Sequence, residues 1–380
     1  MSFTKKLLVL FLILSYTAIN AQSDDKNNNE AIKSFNAAVK KIKAKDYKGA
    51  VADYSKAISL NPKYKKAYFN RGMAEMKLKD YKSAISDFKK SSELDPKYAK
   101  AFMYEGYCEL KMKQYDNAIQ ASSKAIELNP KLEKAYINRG TAYMKQKKYD
   151  QAIPDFTVAI ESNGKNKLKA LLNRGKAYQN LKKHTEAIQD FSAIINEKPE
   201  YGKALLYRGK SYLDQKDYDN AIADFNKQLE IDPKDMNAYY YLGFAQLAKK
   251  DYPAAIETFT KGLEVKAGSI KLLKKRAIAY FSNKEYEKAI EDYNKIIEKE
   301  AKGNYYLNRG IAKYLTKNYA EAIKDLEEAL KQKTKEGKAN YYIGLAYQKQ
   351  GNNAEACKYA KASKSKGYKR ADALIKNVCK

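Results

Sequence analysis

Very few side chains in this sequence are of the types that most often do chemistry. Among 380 residues there is one histidine, His184, and there are three cysteines, Cys108, Cys357 and Cys379. Imidazole is the commonest general acid and base, and structural zinc sites draw on sets of Cys and His. Most imidazole catalysis and every multi-Cys or multi-His metal site are therefore excluded. An enzyme built on this chain would have to work with carboxylates, lysine or tyrosine. The sequence holds no Walker loop, no glycine-rich nucleotide fingerprint, no nucleophile elbow and no paired catalytic carboxylates. The expectation is a non-enzymatic chain with no cofactor and no small-molecule substrate.

Charge is plentiful instead. Lys plus Arg total 74 against 45 Asp plus Glu, a net charge of +29. Such an excess raises acidic peptides, nucleic acid and anionic surfaces as partners. Only seven of the basic residues are arginine, however, and reading of bases and phosphates favours arginine, so nucleic acid is the less expected partner. Six of the seven are spaced regularly: Arg71, Arg139, Arg174, Arg208, Arg276 and Arg309. Sixteen residues after each stands an aspartate: Asp87, Asp155, Asp190, Asp224, Asp292 and Asp325. A ladder of arginines could grip phosphate, but each already has a carboxylate suited to it. The paired columns predict six internal Arg–Asp bridges.

A regular spacing needs a regular scaffold. A small residue followed twelve positions later by Ala recurs along the chain, anchored at Ala38, Gly72, Gly106, Gly140, Gly175, Gly209, Gly243, Ala277, Gly310 and Gly344. Successive anchors lie 34 residues apart, save one step of 35 and one of 33. With each anchor as position 8, ten units start at residues 31, 65, 99, 133, 168, 202, 236, 270, 303 and 337 and fill residues 31–370. Ala67, Tyr68 and Gly72, with Tyr143 or Tyr178 in later copies, make one stripe of helical period. Ala84, Ile85 and Phe88, with Ile58 or Ile126 in other copies, make a second. These stripes predict helices A and B of a hairpin, turning at Lys79-Asp80-Tyr81, with Pro62, Pro96, Pro130, Pro199 and Pro233 ending helix B in several copies. The Arg and Asp columns, positions 7 and 23, then face each other across the hairpin. His184 fills a slot that is Tyr in other units, and Cys108 a slot that is Ala, so both read as structural.

The unit at 65–98, KKAYFNRGMAEMKLKDYKSAISDFKKSSELDPKY, resembles a tetratricopeptide repeat, with Gly72, Tyr81, Ala84, Phe88 and Pro96 at that family's diagnostic positions. It departs from the pattern in having no Trp at position 4 and Arg where Leu is usual at position 7. The resemblance implies an all-α fold, a right-handed superhelical α-solenoid of helix-turn-helix units. It also implies a concave groove lined by helix A, with positions 2, 5, 6, 9, 12 and 13 facing a protein or peptide ligand. On those columns stand Lys66, Lys100, Lys134, Lys169 and Lys203, and Asn70, Asn138 and Asn173. Met103, Tyr104 and Tyr107 form one aromatic and apolar group, and Tyr207, Tyr240, Tyr241 and Phe244 another. An extended peptide could seat side chains on that floor, bond its backbone to Asn and set carboxylates against Lys. The carboxylate clamp of some family members is incomplete here, because position 5 is Lys only at Lys274 and position 6 is never Arg. The expected partner is thus an acidic or polar extended segment, the alternative being that the many lysines hold an anionic cell-envelope polymer or nucleic acid.

The ends of the chain add an address and a cap. Lys5 and Lys6 precede an apolar run from Leu7 to Leu14 and a small-residue stretch ending at Ala21, the pattern of a signal peptide over 1–21. Cleavage after Ala21 makes the protein exported, to the periplasm or the cell exterior, with no transmembrane segment in the mature chain. Residues 22–30 read as a flexible polar leader. Residues 371–380 read as a capping helix, pinned by a Cys357–Cys379 disulfide in an oxidising compartment.

Overall fold

The computed structural model describes residues 26–379, so the signal segment and residues 22–25 lie outside the described part. Those residues form twenty-one α-helices in sequence and, among them, no strand. The chain divides into two compact units, Met1–Ala193 and Ile194–Lys380.

Local sequence explains each hairpin. Helix A of the second repeat runs Lys65–Lys77 and helix B Tyr81–Leu94. Between them the Asp80 N–H reaches back to the Glu75 carbonyl at 2.9 Å with Lys79 left-handed at φ +64°, and the Asp80 carboxylate then accepts from the Ser83 N–H at 3.2 Å. The last carbonyls of A and the first N–H groups of B are thus satisfied in three residues, which turns the chain back on itself. The same carboxylate cap recurs at Asp46, Asp217 and Asp251.

Helix A lies against helix B at the anchor. A β-carbon on Gly243 would come within 2.4 Å of the Phe259 ring, and one on Gly175 within 2.6 Å of the Phe191 ring. The small residue therefore admits an aromatic side chain in five of the hairpins, where Phe88, Phe156, Phe191, Phe225 and Phe259 are fully buried, and Leu326 takes that place against Gly310. Within each compact unit neighbouring hairpins stack, helix B of one on helix A of the next, which supplies the burial that one hairpin cannot provide for itself.

Two details concern the ends. The leader is shorter than expected: residues 26–30 are helical and continue into helix A of the first repeat, to residue 43. No Pro or Gly interrupts them, and Asn28 accepts a hydrogen bond from Asn61 at 2.9 Å, which ties this turn to the end of the adjacent helix B. At the other end helix Ala371–Val378 packs Leu374 and Val378 on Ala356 and Ala360, and Cys357 is bonded to Cys379. No helix among the described residues is long and apolar enough to cross a membrane.

Candidate functional site

The arginine column is spoken for. Arg71 donates from Nε to Asp87 at 2.7 Å and from a terminal nitrogen to the other carboxylate oxygen at 2.8 Å. The same two-point fork joins Arg139 to Asp155, Arg174 to Asp190, Arg208 to Asp224, Arg276 to Asp292 and Arg309 to Asp325. All six predicted bridges form. A third N–H reaches the preceding repeat, to Ser55 from Arg71, Ser123 from Arg139, Thr157 from Arg174, Thr260 from Arg276 and Asn294 from Arg309. Each rung therefore stitches a hairpin together and, in these five, ties it to its neighbour. With the guanidinium donors engaged in this way, this column has no grip left for a ligand.

The third repeat breaks the pattern. Position 7 is Glu105 and position 23 is Ala121, while position 25 of the preceding repeat is Lys89. Glu105 and Glu109 are 8% and 1% exposed, and Lys89 stands 3.8 and 3.5 Å from them, loosely shared between two carboxylates. Burial raises Glu105 to about 7 and nearby Glu75 to about 8, the latter helped by the Asp87 charge. Burial also pushes the Cys108 thiol up to about 12, so this cysteine is a buried, inert filler as its slot suggested.

Lysines behave differently on the ligand-facing columns. Helix A of the second, third, fourth and fifth repeats (Lys65–Lys77, Ala99–Lys111, Glu133–Lys145 and Lys167–Asn180) enclose two adjoining pockets, of about 300 and 540 Å³. The first is floored by Met73, Met76, Met103, Tyr104, Tyr107 and Ile137. Asn138 and Lys169 line both, and Asn173 lines the second. No aspartate or glutamate lines either pocket, and Lys111, Lys134 and Lys169 make no ion pair. Desolvation, with Lys111 and Lys134 nearby, lowers Lys169 below the ordinary lysine value. Asn138 is buried and its amide donates to the Met103 carbonyl at 3.1 Å, which joins two A helices and leaves its carbonyl oxygen as an acceptor. The Tyr104 ring packs on Phe69 and Phe88, so it is anchored before any ligand arrives.

A second basin lies in the other compact unit, on helices Gly202–Asp214, Met236–Ala248 and Ile270–Ser282. Tyr240 meets Tyr241 edge-on and stacks with Phe244. Lys271 sits 3.7 Å above the Tyr240 ring, Lys275 lies 4.5 Å from Phe244, and Lys210 stands between Tyr207 and Tyr241 at 5.5 and 5.2 Å. None of these three lysines has a carboxylate partner. Ring faces supply what counter-charge there is. Desolvation lowers Lys271 and Lys275, with the Lys210 charge adding to the first and that of Lys271 to the second.

Of the residues named from sequence, Met103, Tyr104, Tyr107, Lys134, Asn138, Lys169 and Asn173 come together in the first basin, and Tyr207, Tyr240, Tyr241 and Phe244 in the second. Lys66, Lys100 and Lys203 are exposed and line neither. Asn70 turns its amide onto the Lys66 carbonyl of its own helix at 2.9 Å. Sequence reasoning passed over Met73, Met76, Lys77, Lys111, Asn166, Lys210 and Lys275. Most of these stand at positions 6, 9, 12 and 13, columns that face the ligand in the family but that vary in type from copy to copy. Among the described residues no group of His, Cys, Asp and Glu is placed to hold a metal ion.

Comparison with known families bears on the whole arrangement. Models of the TPR repeat match residues 42–78, 106–147 and 209–250. Further tetratricopeptide repeat models match 66–98 and 133–166, 168–201 and 275–298, and 307–371. Together these segments cover more than half of the chain. No curated protein matches it. Among solved structures, the C-terminal part of a TPR repeat-containing protein from Cytophaga hutchinsonii is 20% identical, covers 72% of this chain and 99% of its own, and has a TM-score of 0.50. A tetratricopeptide repeat protein from Parabacteroides merdae is 19% identical, covers 65% and 99%, and has a TM-score of 0.47. At such identity likeness speaks to the fold alone.

Proposed function

This chain belongs to the tetratricopeptide repeat family, and from that premise we propose that it is a non-enzymatic scaffold that binds an extended acidic segment of a partner protein. Family members act in protein–protein interaction, and the solenoid leaves the identity of the ligand to a few variable side chains. One observation carries the reading. The first basin combines an apolar floor with three unpaired lysines and contains no carboxylate, in a molecule whose interior arginines are each matched to an aspartate. A ligand carboxylate supplies the missing charge, its apolar side chains cover Met73, Met103 and Tyr107, and Asn138 accepts a backbone N–H. The second basin, with lysines held over tyrosine rings, offers rigid aromatic anchors of its own to an acidic segment.

The partner meets the protein outside the cytoplasm, since the N-terminal pattern of Lys5, Lys6, an apolar run and Ala21 is that of an export signal. Nucleic acid is disfavoured because the guanidinium groups suited to it are engaged internally.

Fluorescence polarisation with three labelled peptides of equal length tests this. An acidic peptide interspersed with Leu and Phe binds, whereas its neutral and basic counterparts do not. Equal binding of all three would end the proposal. N-terminal sequencing of the mature protein from an envelope fraction should begin at Gln22.

A further inference from the structure

The A-to-B turns of all ten repeats close alike, and they hold an anomaly that folding does not explain and that the basins touch only at Lys113, which lines the second pocket. In each, the N–H of position 16 bonds back to the carbonyl of position 11, as Asp46 does to Lys41 and Gln114 to Glu109, both at 2.9 Å. This closure places position 15 in the left-handed region, where glycine is normally found because any β-carbon is strained there. Here position 15 is lysine in nine consecutive turns: Lys45, Lys79, Lys113, Lys147, Lys182, Lys216, Lys250, Lys284 and Lys317, with φ between +59° and +66°. The tenth turn has Gly351, at φ +80°, so the same turn accepts glycine.

The lysine side chains return little to the fold. All nine are exposed, none makes an ion pair, and none lies over an aromatic ring. A positive charge at a helix C-terminus gains something from the helix dipole, but the charge at position 13, such as Lys43, Lys77, Lys111 or Lys145, already occupies that end. What is repeated, then, is the ammonium group itself.

We infer that in the first compact unit the turn lysines Lys45, Lys79, Lys113, Lys147 and Lys182 form a binding edge for a linear anionic polysaccharide. Within this unit the hairpins stack in sequence, helix B of one on helix A of the next, so equivalent turns recur from repeat to repeat and present one ammonium each. A flexible chain carrying a carboxylate or sulfate on successive sugars is matched by such a row. Ammonium groups are point charges that need no bidentate geometry, which suits isolated anionic substituents. The residue two places on, such as Tyr47 or Tyr81, is half-buried at the start of helix B, Tyr81 against Ala84 and Phe88, which disfavours single-stranded nucleic acid.

The test uses the full mature chain and two immobilised probes, heparin for sulfate and polygalacturonate for carboxylate. One variant carries Lys45→Gly, Lys79→Gly and Lys147→Gly. A control of equal charge carries Lys63→Gln, Lys97→Gln and Lys131→Gln on the opposite turns, where the lysines are also exposed. The glycine variant should keep or raise its melting temperature, lose at least tenfold in affinity for one or both probes at low salt, and show a shallower salt dependence by about two to three charges. The probe whose binding is lost identifies the substituent. The control should stay within threefold of the parent chain. Equal losses in both variants, tighter binding to single-stranded DNA than to either glycan, or a lowered melting temperature in the glycine variant would each overturn the inference.

Discussion

The interior rungs and the first basin handle positive charge in opposite ways. Arg139 makes two bonds to Asp155 and one to Ser123, and its guanidinium lies 5.8 Å from the Tyr136 ring, so every face of the cation is matched within the fold. Lys111, Lys134 and Lys169 line a concavity with methionines and tyrosines, where no carboxylate lines the wall and none of the three makes an ion pair. The fold supplies a partner wherever it keeps a buried cation for itself. Where it leaves several unmatched in one concavity, the partner is to come from outside.

The largest effect should come from breaking a rung. Arg139→Ala leaves Asp155 buried and alone and should cost about 3–5 kcal/mol in denaturant unfolding, whereas Arg139→Met with Asp155→Leu should cost far less. If the single and the double variant lose the same amount, the rung is not a matched pair. The next effect lies in the third repeat, where the matching lapses. Lys89→Ser, Glu105→Arg and Ala121→Asp together rebuild the rung found in its neighbours. At pH 8 this variant should melt higher than the parent chain, and near pH 5 the two should almost coincide.

The pH dependence behind that expectation follows from Glu75 and Glu105, raised from 4.5 to about 8 and about 7. The folded chain keeps these protons where the unfolded chain has released them. Their contribution to stability is therefore complete below about pH 4.5 and is lost as pH rises through 7 to 8. Melting curves of the parent and of Glu75→Gln with Glu105→Gln should converge in acid and separate above pH 7, with the variant the more stable. The smallest effect is in the second basin: Lys271→Met removes a cation held over Tyr240 and should change stability by about 1 kcal/mol or less while weakening acidic-ligand binding measurably. No change in binding would confine the functional surface to the first basin.

Much of this was legible in the residues. The recurrence of a small anchor with Ala twelve positions on specifies the hairpin, and the joint appearance of Arg at position 7 and Asp at position 23 specifies the rung, because both are contacts within one repeat. Contacts between repeats were harder to read. The hydroxyls of Ser55, Ser123, Thr157 and Thr260 complete the arginine shell from the preceding unit, and nothing in a single unit points to them. The acidic pair Glu105 and Glu109 was missed for the same reason, since the cation beside it, Lys89, belongs to the repeat before. The basins were half legible. Tyr and Asn columns stood out by type, but Met73 differs from its counterparts Tyr107, Thr141 and Lys210, and Lys111 shares its position with Lys43, Lys77 and Lys145 and so carries no mark of its own. Asn70 shows the converse: a residue on the right column spends its amide on its own helix.

The central claim is that unmatched lysines in the first basin await a ligand's carboxylates. It is tested most directly by the affinity of the labelled acidic peptide for a Lys111→Glu, Lys134→Glu, Lys169→Glu variant, with melting temperature recorded on the same sample. The account predicts at least a hundredfold loss of affinity with the fold intact. Binding retained within threefold by a folded variant would contradict it.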